Sequence, residues 1–128
     1  MPRCSVIPML GYPDVAAAID WLRDTFGFSL RLRIANHRAQ LNVGDGAIAI
    51  TEQRDLVGKE CHSVMVRVED VDNHHWRALQ HGARVLASPA DYPFGERQYT
   101  VEDFAGHRWT FSQSIADVDP KDWGGTST

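Results

Sequence analysis

Apolar and polar residues follow one another along this chain in an order that is written twice. Val6-Ile7-Pro8-Met9-Leu10 and Val64-Met65-Val66-Arg67-Val68 are apolar runs of strand length, and each leads to an aspartate, Asp14 or Asp70, placed to cap a helix. After Asp14, the residues Val15, Ala18, Ile19, Leu22 and Phe26 recur at helical spacing until Gly27 supplies a stop. After Asp70 a thinner stripe of Val71, His75, Ala78 and Leu79 runs to Gly82, and His75 on that stripe reads as a core histidine rather than a ligand. Extended segments then close on glycine turns. Gly44-Asp45-Gly46 precedes Ala47-Ile48-Ala49-Ile50-Thr51, and Asp103-Phe104-Ala105-Gly106 precedes Arg108-Trp109-Thr110-Phe111-Ser112. The pattern predicts an α+β fold of two tandem βαβββ modules, about 5–54 and 62–114, with a tail over 115–128. Their mixed sheets curl into a shared cup, a shape suited to holding something small.

Alternation along the strands assigns the faces. Trp109 and Phe111 are expected to pack under a helix, which turns Arg108, Thr110 and Ser112 toward the concave side. Ile48 and Ile50 inward leave Ala47, Ala49 and Thr51 facing the cup. The same rule sends Ser63, Met65 and Arg67 to the cup and Val64, Val66 and Val68 away from it. Ser5, Ile7 and Met9 face it from the first strand, and Gln98 and Thr100 from the seventh. The lining is then an apolar floor with a polar rim, and Arg67 is its buried cation candidate. A guanidinium there either takes a carboxylate or phosphate oxygen as a forked donor or pairs with a carboxylate of the rim.

Composition narrows the partners. A chain of 128 residues with 43% hydrophobic content buries one core, so a single domain is expected. The net charge of −4, with no cluster of Lys or Arg, speaks against a nucleic-acid partner and leans weakly toward a cationic ligand. No run approaches the roughly 18 apolar residues of a membrane span, and no basic segment followed by an apolar one opens the chain. A cytoplasmic protein without a membrane partner is expected. Cys4 and Cys61 match no zinc spacing and read as reduced, structural thiols. Ser63 beside His62 is not a nucleophile and its base, because neighbours on a strand point to opposite faces. His107 in the last turn reads as exposed. In the tail, Trp123 either docks on the body or across a dimer, or closes the cup as a lid.

These residues carry a family resemblance. Ile7-Pro8-Met9-Leu10-Gly11-Tyr12-Pro13-Asp14-Val15, with Ile19-Asp20-Trp21 and Phe26-Gly27-Phe28, is similar to the opening of the vicinal oxygen chelate superfamily, which contains glyoxalase I, extradiol dioxygenases and bleomycin-resistance proteins. Tyr92-Pro93-Phe94-Gly95-Glu96-Arg97-Gln98-Tyr99 and Val101-Glu102-Asp103-Phe104-Ala105-Gly106-His107 resemble its closing strand pair, with Phe104-Ala105 in place of the usual Pro-Asp. The resemblance covers roughly residues 5–114 and implies the fold more strongly than any reaction.

The superfamily's enzymes hold a divalent metal with residues from the first and last strand of each module. On this chain those positions fall at Ile7, about Ala49, Ser63 and Thr110. None of the four is a usual donor for zinc, iron or manganese. His62 stands beside one position, and Glu52 reaches the site only by a three-residue shift. The resemblance therefore implies no metal and no other cofactor. It points to the bleomycin-resistance branch, a homodimer that sequesters a small molecule such as an antibiotic between its subunits. The candidate ligand-binding residues are Met9, Ser63, Met65, Arg67, Tyr92, Phe94, Gln98, Arg108 and Thr110. Tyr92 and Phe94 either stack on a flat ligand or simply anchor their own loop. The alternative is a divergent glyoxalase-like lyase, isomerase or dioxygenase with a non-standard site that uses residues such as His62, Glu52 and Arg67.

Overall fold

A computed structural model describes residues 6–54 and 62–117. The first module runs β1 (Met9–Tyr12), α1 (Val15–Phe26), β2 (Ser29–Ile34), β3 (Arg38–Val43) and β4 (Gly46–Glu52). The second repeats it as β5 (Ser63–Arg67), α2 (Val71–Gln80), β6 (Arg84–Tyr92), β7 (Glu96–Glu102) and β8 (Arg108–Ser114). Each module makes one four-stranded sheet, in the orders β1-β4-β3-β2 and β5-β8-β7-β6. The first strand of each module pairs in parallel with the last, and every other pairing is antiparallel. The α+β architecture with two βαβββ modules is thus the one the sequence pattern predicts. Among the described residues the two sheets share no ladder, so any shared cup is formed by packing and not by one continuous sheet.

Local chemistry accounts for the helices. Asp14 accepts from the Ala17 amide at 3.1 Å and opens α1, and Gly27, at φ 78°, closes it in the left-handed conformation that glycine adopts at little cost. Val15, Ala18, Ile19, Leu22, Thr25 and Phe26 are its buried side. Asp70 caps α2 in the same way on the Asn73 amide at 3.0 Å. Only Val71 and Ala78 of α2 are fully buried, and Leu79, expected on the apolar stripe, stays 46% exposed.

Two sequence expectations need correction here. The first strand begins at Met9 and not at Val6, because Pro8 has no N–H to give to a ladder. The Pro8 carbonyl nevertheless accepts from the Ala49 amide at 2.9 Å, so the chain enters the sheet there. The histidine of α2 that packs most closely in the core is His74, whose ring centre lies 3.9 Å from that of Phe111; His75 only meets the edge of Tyr99 at 5.2 Å.

One core joins the modules. Tyr12, Val15, Leu22, Phe26, Leu41, Ile48 and Ile50 of the first share it with Val71, Ala78, Tyr99, Val101, Trp109 and Phe111 of the second. Phe26 meets Trp109 and Phe111 edge-on at 5.5 and 4.9 Å, so the end of α1 sits on the last strand of the other module. The strand faces follow the alternation: Trp109 and Phe111 are fully buried, and Val64, Val66 and Val68 pack against the core. The opposite faces of both sheets are left for other contacts. Ser5, Cys4, Cys61 and Trp123 lie outside the described residues.

Candidate functional site

Register places most of the candidate residues on one face of the second sheet. Arg67 of β5 stands beside Ser112 of β8, which stands beside Gln98 of β7. One step along, Met65 neighbours Thr110 and Thr110 neighbours Thr100; one step further, Ser63 neighbours Arg108 and Arg108 neighbours Glu102. Ser63, Met65, Arg67, Gln98, Arg108 and Thr110 therefore form a contiguous surface. Tyr92 pairs with Glu96 at the end of the same face, and its ring stacks on Phe94 at 5.4 Å with 16° between planes. Met9 lies on the other sheet, beside Ala49, Gln40 and Leu32, and is 63% exposed.

Much of the polar rim is tied up internally. Gln98 Nε2 donates to Ser112 Oγ at 3.1 Å, and Ser112 Oγ in turn makes a short hydrogen bond to Glu96 Oε1. The hydroxyls of Thr100 and Thr110 pair at 3.1 Å. Sequence reading overlooked Glu96, whose place opposite Tyr92 depends on the register of the β6–β7 turn. Arg97, its neighbour, points away and makes ion pairs with Asp72 at 3.1 Å and Asp91 at 2.8 Å. Those two carboxylates, first through hydrogen bonds and then through their charge, raise the Arg97 pKa.

Arg67 is exposed and not buried as expected, since β5 is the edge strand of its sheet. Among the described residues it has no ion pair, whereas Arg84 and Arg97 do. Arg67 and Met65 also line a crevice of about 270 Å³, which runs between β5 and the β3–β4 turn. Val6, Pro8, Val43, Gly44, Asp45, Gly46, Ala47 and Ile48 form its first-module side, and Val64 and Val66 complete the second. Gly44-Asp45-Gly46 is visible in the sequence as a hairpin, but its approach to β5 is a tertiary fact that no local pattern announces.

Ser63 and Thr110 share the open face of the second sheet, with Met65 beside Thr110, and Ala49 of the first sheet stands beside Met9. Neither Ile7, Ala49, Ser63 and Thr110 nor the thioethers of Met9 and Met65 next to them are good donors for zinc, manganese or iron. Glu52 pairs with Tyr12 in the row that faces the core, and its carboxylate lies 3.6 Å from Arg54. No three His, Cys, Asp or Glu side chains cluster among the described residues. The donors present at these positions do not fit the superfamily's divalent metal.

His107 is not the exposed residue it was expected to be. Its Nε2 is 2.6 Å from the Gly11 carbonyl, and its ring meets Tyr12 edge-on at 4.8 Å. The phenol of Tyr12 titrates well above its ordinary value, chiefly because it is buried and further because the Asp103 carboxylate stands beside it. Tyr99 is raised by burial alone. Tyr12 and His107 hold the modules together, while Tyr99 bonds to His74 within the second module, and all three face away from the candidate surface. Among the described residues no helix is long and apolar enough to cross a membrane.

Comparison with known proteins agrees with this geometry. A family model described as Glyoxalase/Bleomycin resistance protein/Dioxygenase superfamily matches residues 7–111. TioX from Micromonospora sp. ML1 is 34% identical, over 88% of this chain and 99% of that one, with a TM-score of 0.75. The fosfomycin resistance protein FosX from Mesorhizobium loti is similar at 15% identity, over 88% and 93% of the two chains, with a TM-score of 0.69. FosX from Listeria monocytogenes, solved with Mn(II) and sulfate, has 14% identity, coverage of 90% and 93%, and a TM-score of 0.74. At those identities the two FosX structures share the fold alone. An uncharacterized Mycobacterium tuberculosis protein is 36% identical over 56 residues, which is 44% of this chain and 33% of the relative. The matched part thus spans about a third of that curated relative's length.

Proposed function

The chain belongs to the glyoxalase/bleomycin resistance protein/dioxygenase superfamily, and on that premise we propose that it binds a small molecule without a metal, by sequestration and not turnover. One observation carries this reading. Ile7, Ala49, Ser63 and Thr110 stand where the resemblance puts the metal donors, with Met9 beside Ala49 and Met65 beside Thr110, while the open face of the second sheet carries Arg67 and Arg108 for hydrogen bonding. Met9, Ser63, Met65, Arg67, Gln98, Arg108 and Thr110 would line the site, with Tyr92 and Phe94 at its edge.

The reading also takes the protein as a homodimer in the cytoplasm. Leu32 and Ile34 are each 47% exposed, and Met65 is 62% exposed, on sheet faces that no helix of the described residues covers. A second copy laid on those faces would shield them and close the cup.

A thermal-shift screen of antibiotics and aromatic metabolites, with hits confirmed by calorimetry with and without chelator, tests the function. Saturable binding near one ligand per subunit, indifferent to chelator and without product formation, is the expected result. Turnover of a hit would replace sequestration by the lyase, isomerase or dioxygenase alternative. Mass determination by light scattering tests the dimer; a monomer at micromolar concentration would remove it.

A further inference from the structure

We infer that the crevice between the β3–β4 turn and β5 takes a compact hydrophobic monocarboxylate, with its ring body against Val43, Ile48, Val64 and Val66 and its carboxylate on Arg67. This rests on the small-molecule reading above and gives it a ligand class. At about 270 Å³ the crevice suits one ring or two fused rings, and a larger drug would enter only in part. Its apolar wall is firm. Ile48 is 2% exposed and belongs to the core, and Val64 and Val66 pack against that core from the edge strand, so a seated ring displaces water from a surface that does not yield.

Charge decides the rest. The crevice is lined by two charged residues, Arg67 and Asp45, and neither has an ion pair among the described residues. A guanidinium at the border of an apolar slot offers a carboxylate two parallel hydrogen bonds, which a neutral amide cannot match in strength. Asp45 sits in the two-residue turn on the opposite side, between β3 and β4, and repels a second negative charge. One anionic group is therefore favoured over two.

Calorimetry of the full chain with 2-naphthoate, its neutral isostere 2-naphthamide and naphthalene-2,6-dicarboxylate tests the assignment. The naphthoate is expected to bind about tenfold more tightly than the amide. Arg67→Gln should erase that preference, Arg84→Gln should leave it intact, and Asp45→Asn should improve the dicarboxylate; circular dichroism confirms that each variant is folded. Equal binding of naphthoate and naphthamide, or a preference that survives Arg67→Gln, would overturn the ligand class and leave small-molecule binding standing. Binding of neither probe would overturn the ligand class as well, while the broader reading is judged by the library screen alone.

Discussion

The hydroxyl of Tyr12 donates to Oδ2 of Asp103 at 2.6 Å, across 91 positions of sequence, and ties β1 of the first module to the β7–β8 turn of the second. Asp103 is 4% exposed. It accepts also from Trp109 Nε1 at 3.1 Å and from the amides of Ala105 and His107 at 3.0 and 2.9 Å. One buried carboxylate thus shapes the turn and joins the modules. Asp103→Ala leaves several buried donors without a partner and should cost about 3–5 kcal/mol. Tyr12→Phe removes one donor to a well-served acceptor and should cost about 1–2 kcal/mol. Urea unfolding measures both, and an Asp103→Ala protein as stable as the parent would contradict the role given to this turn.

His74 makes stability depend on pH. Burial pushes its pKa from 6.5 down to about 4, and the positive Arg77 nearby pushes the same way against a hydrogen bond with the Phe26 backbone. Between pH 4 and 6.5 the unfolded chain holds a proton that the folded chain does not, so stability rises with pH through that window and levels off above it. From pH 7 to pH 5 this one group should remove about 2 kcal/mol. Denaturant midpoints at several pH values for the parent and His74→Gln separate its part from that of the carboxylates. An equal slope in both proteins would contradict it.

Arg77 of α2 caps the other helix. Its Nε and Nη2 donate to the carbonyls of Asp24 and Arg23 at 3.0 and 3.2 Å, at the end of α1 where acceptors are left over. Arg77→Ala is expected to cost about 1 kcal/mol. Gly27→Ala should cost about 1–2 kcal/mol, because φ is 78° there and a new Cβ would also lie 3.0 Å from the Arg77 guanidinium. Thermal unfolding of the two single variants and the double variant gives the coupling, and strict additivity would argue against a shared contact.

Gln40 lies on the open face of the first sheet, and its buried Oε1 has no hydrogen-bond partner among the described residues. An unpaired buried acceptor is a cost, so Gln40→Leu should be neutral or stabilise by about 1 kcal/mol. A clear loss of stability in urea unfolding would show that Oε1 is satisfied in solution.

The parts that could be read from sequence are those fixed by neighbours along the chain. The Asp14 cap, the Gly27 stop and the alternation that buries Trp109 and Phe111 while turning Thr110 outward are local, and they positioned the candidate surface. Tertiary choices stayed hidden. His74 and His75 both suit a stripe that holds Val71 and Ala78, and the rings of Phe26 and Phe111 decide between them. His107 looked like a turn residue because Gly11, its partner, is 96 positions away. Arg67 had two readings until the edge position of β5 left it exposed, without an ion pair among the described residues.

Metal affinity tests the central claim most directly. Protein purified without chelator is incubated in turn with zinc, nickel, manganese and iron, and metal per subunit is measured after desalting. With Ile7, Ala49, Ser63 and Thr110 at the positions the resemblance implies, the expected result is no metal held with a Kd in the micromolar range or tighter, and ligand binding indifferent to chelator. Close to one metal per subunit, lost on His62→Ala or Glu52→Ala, would contradict the metal-free reading and restore the superfamily's metal chemistry to this chain.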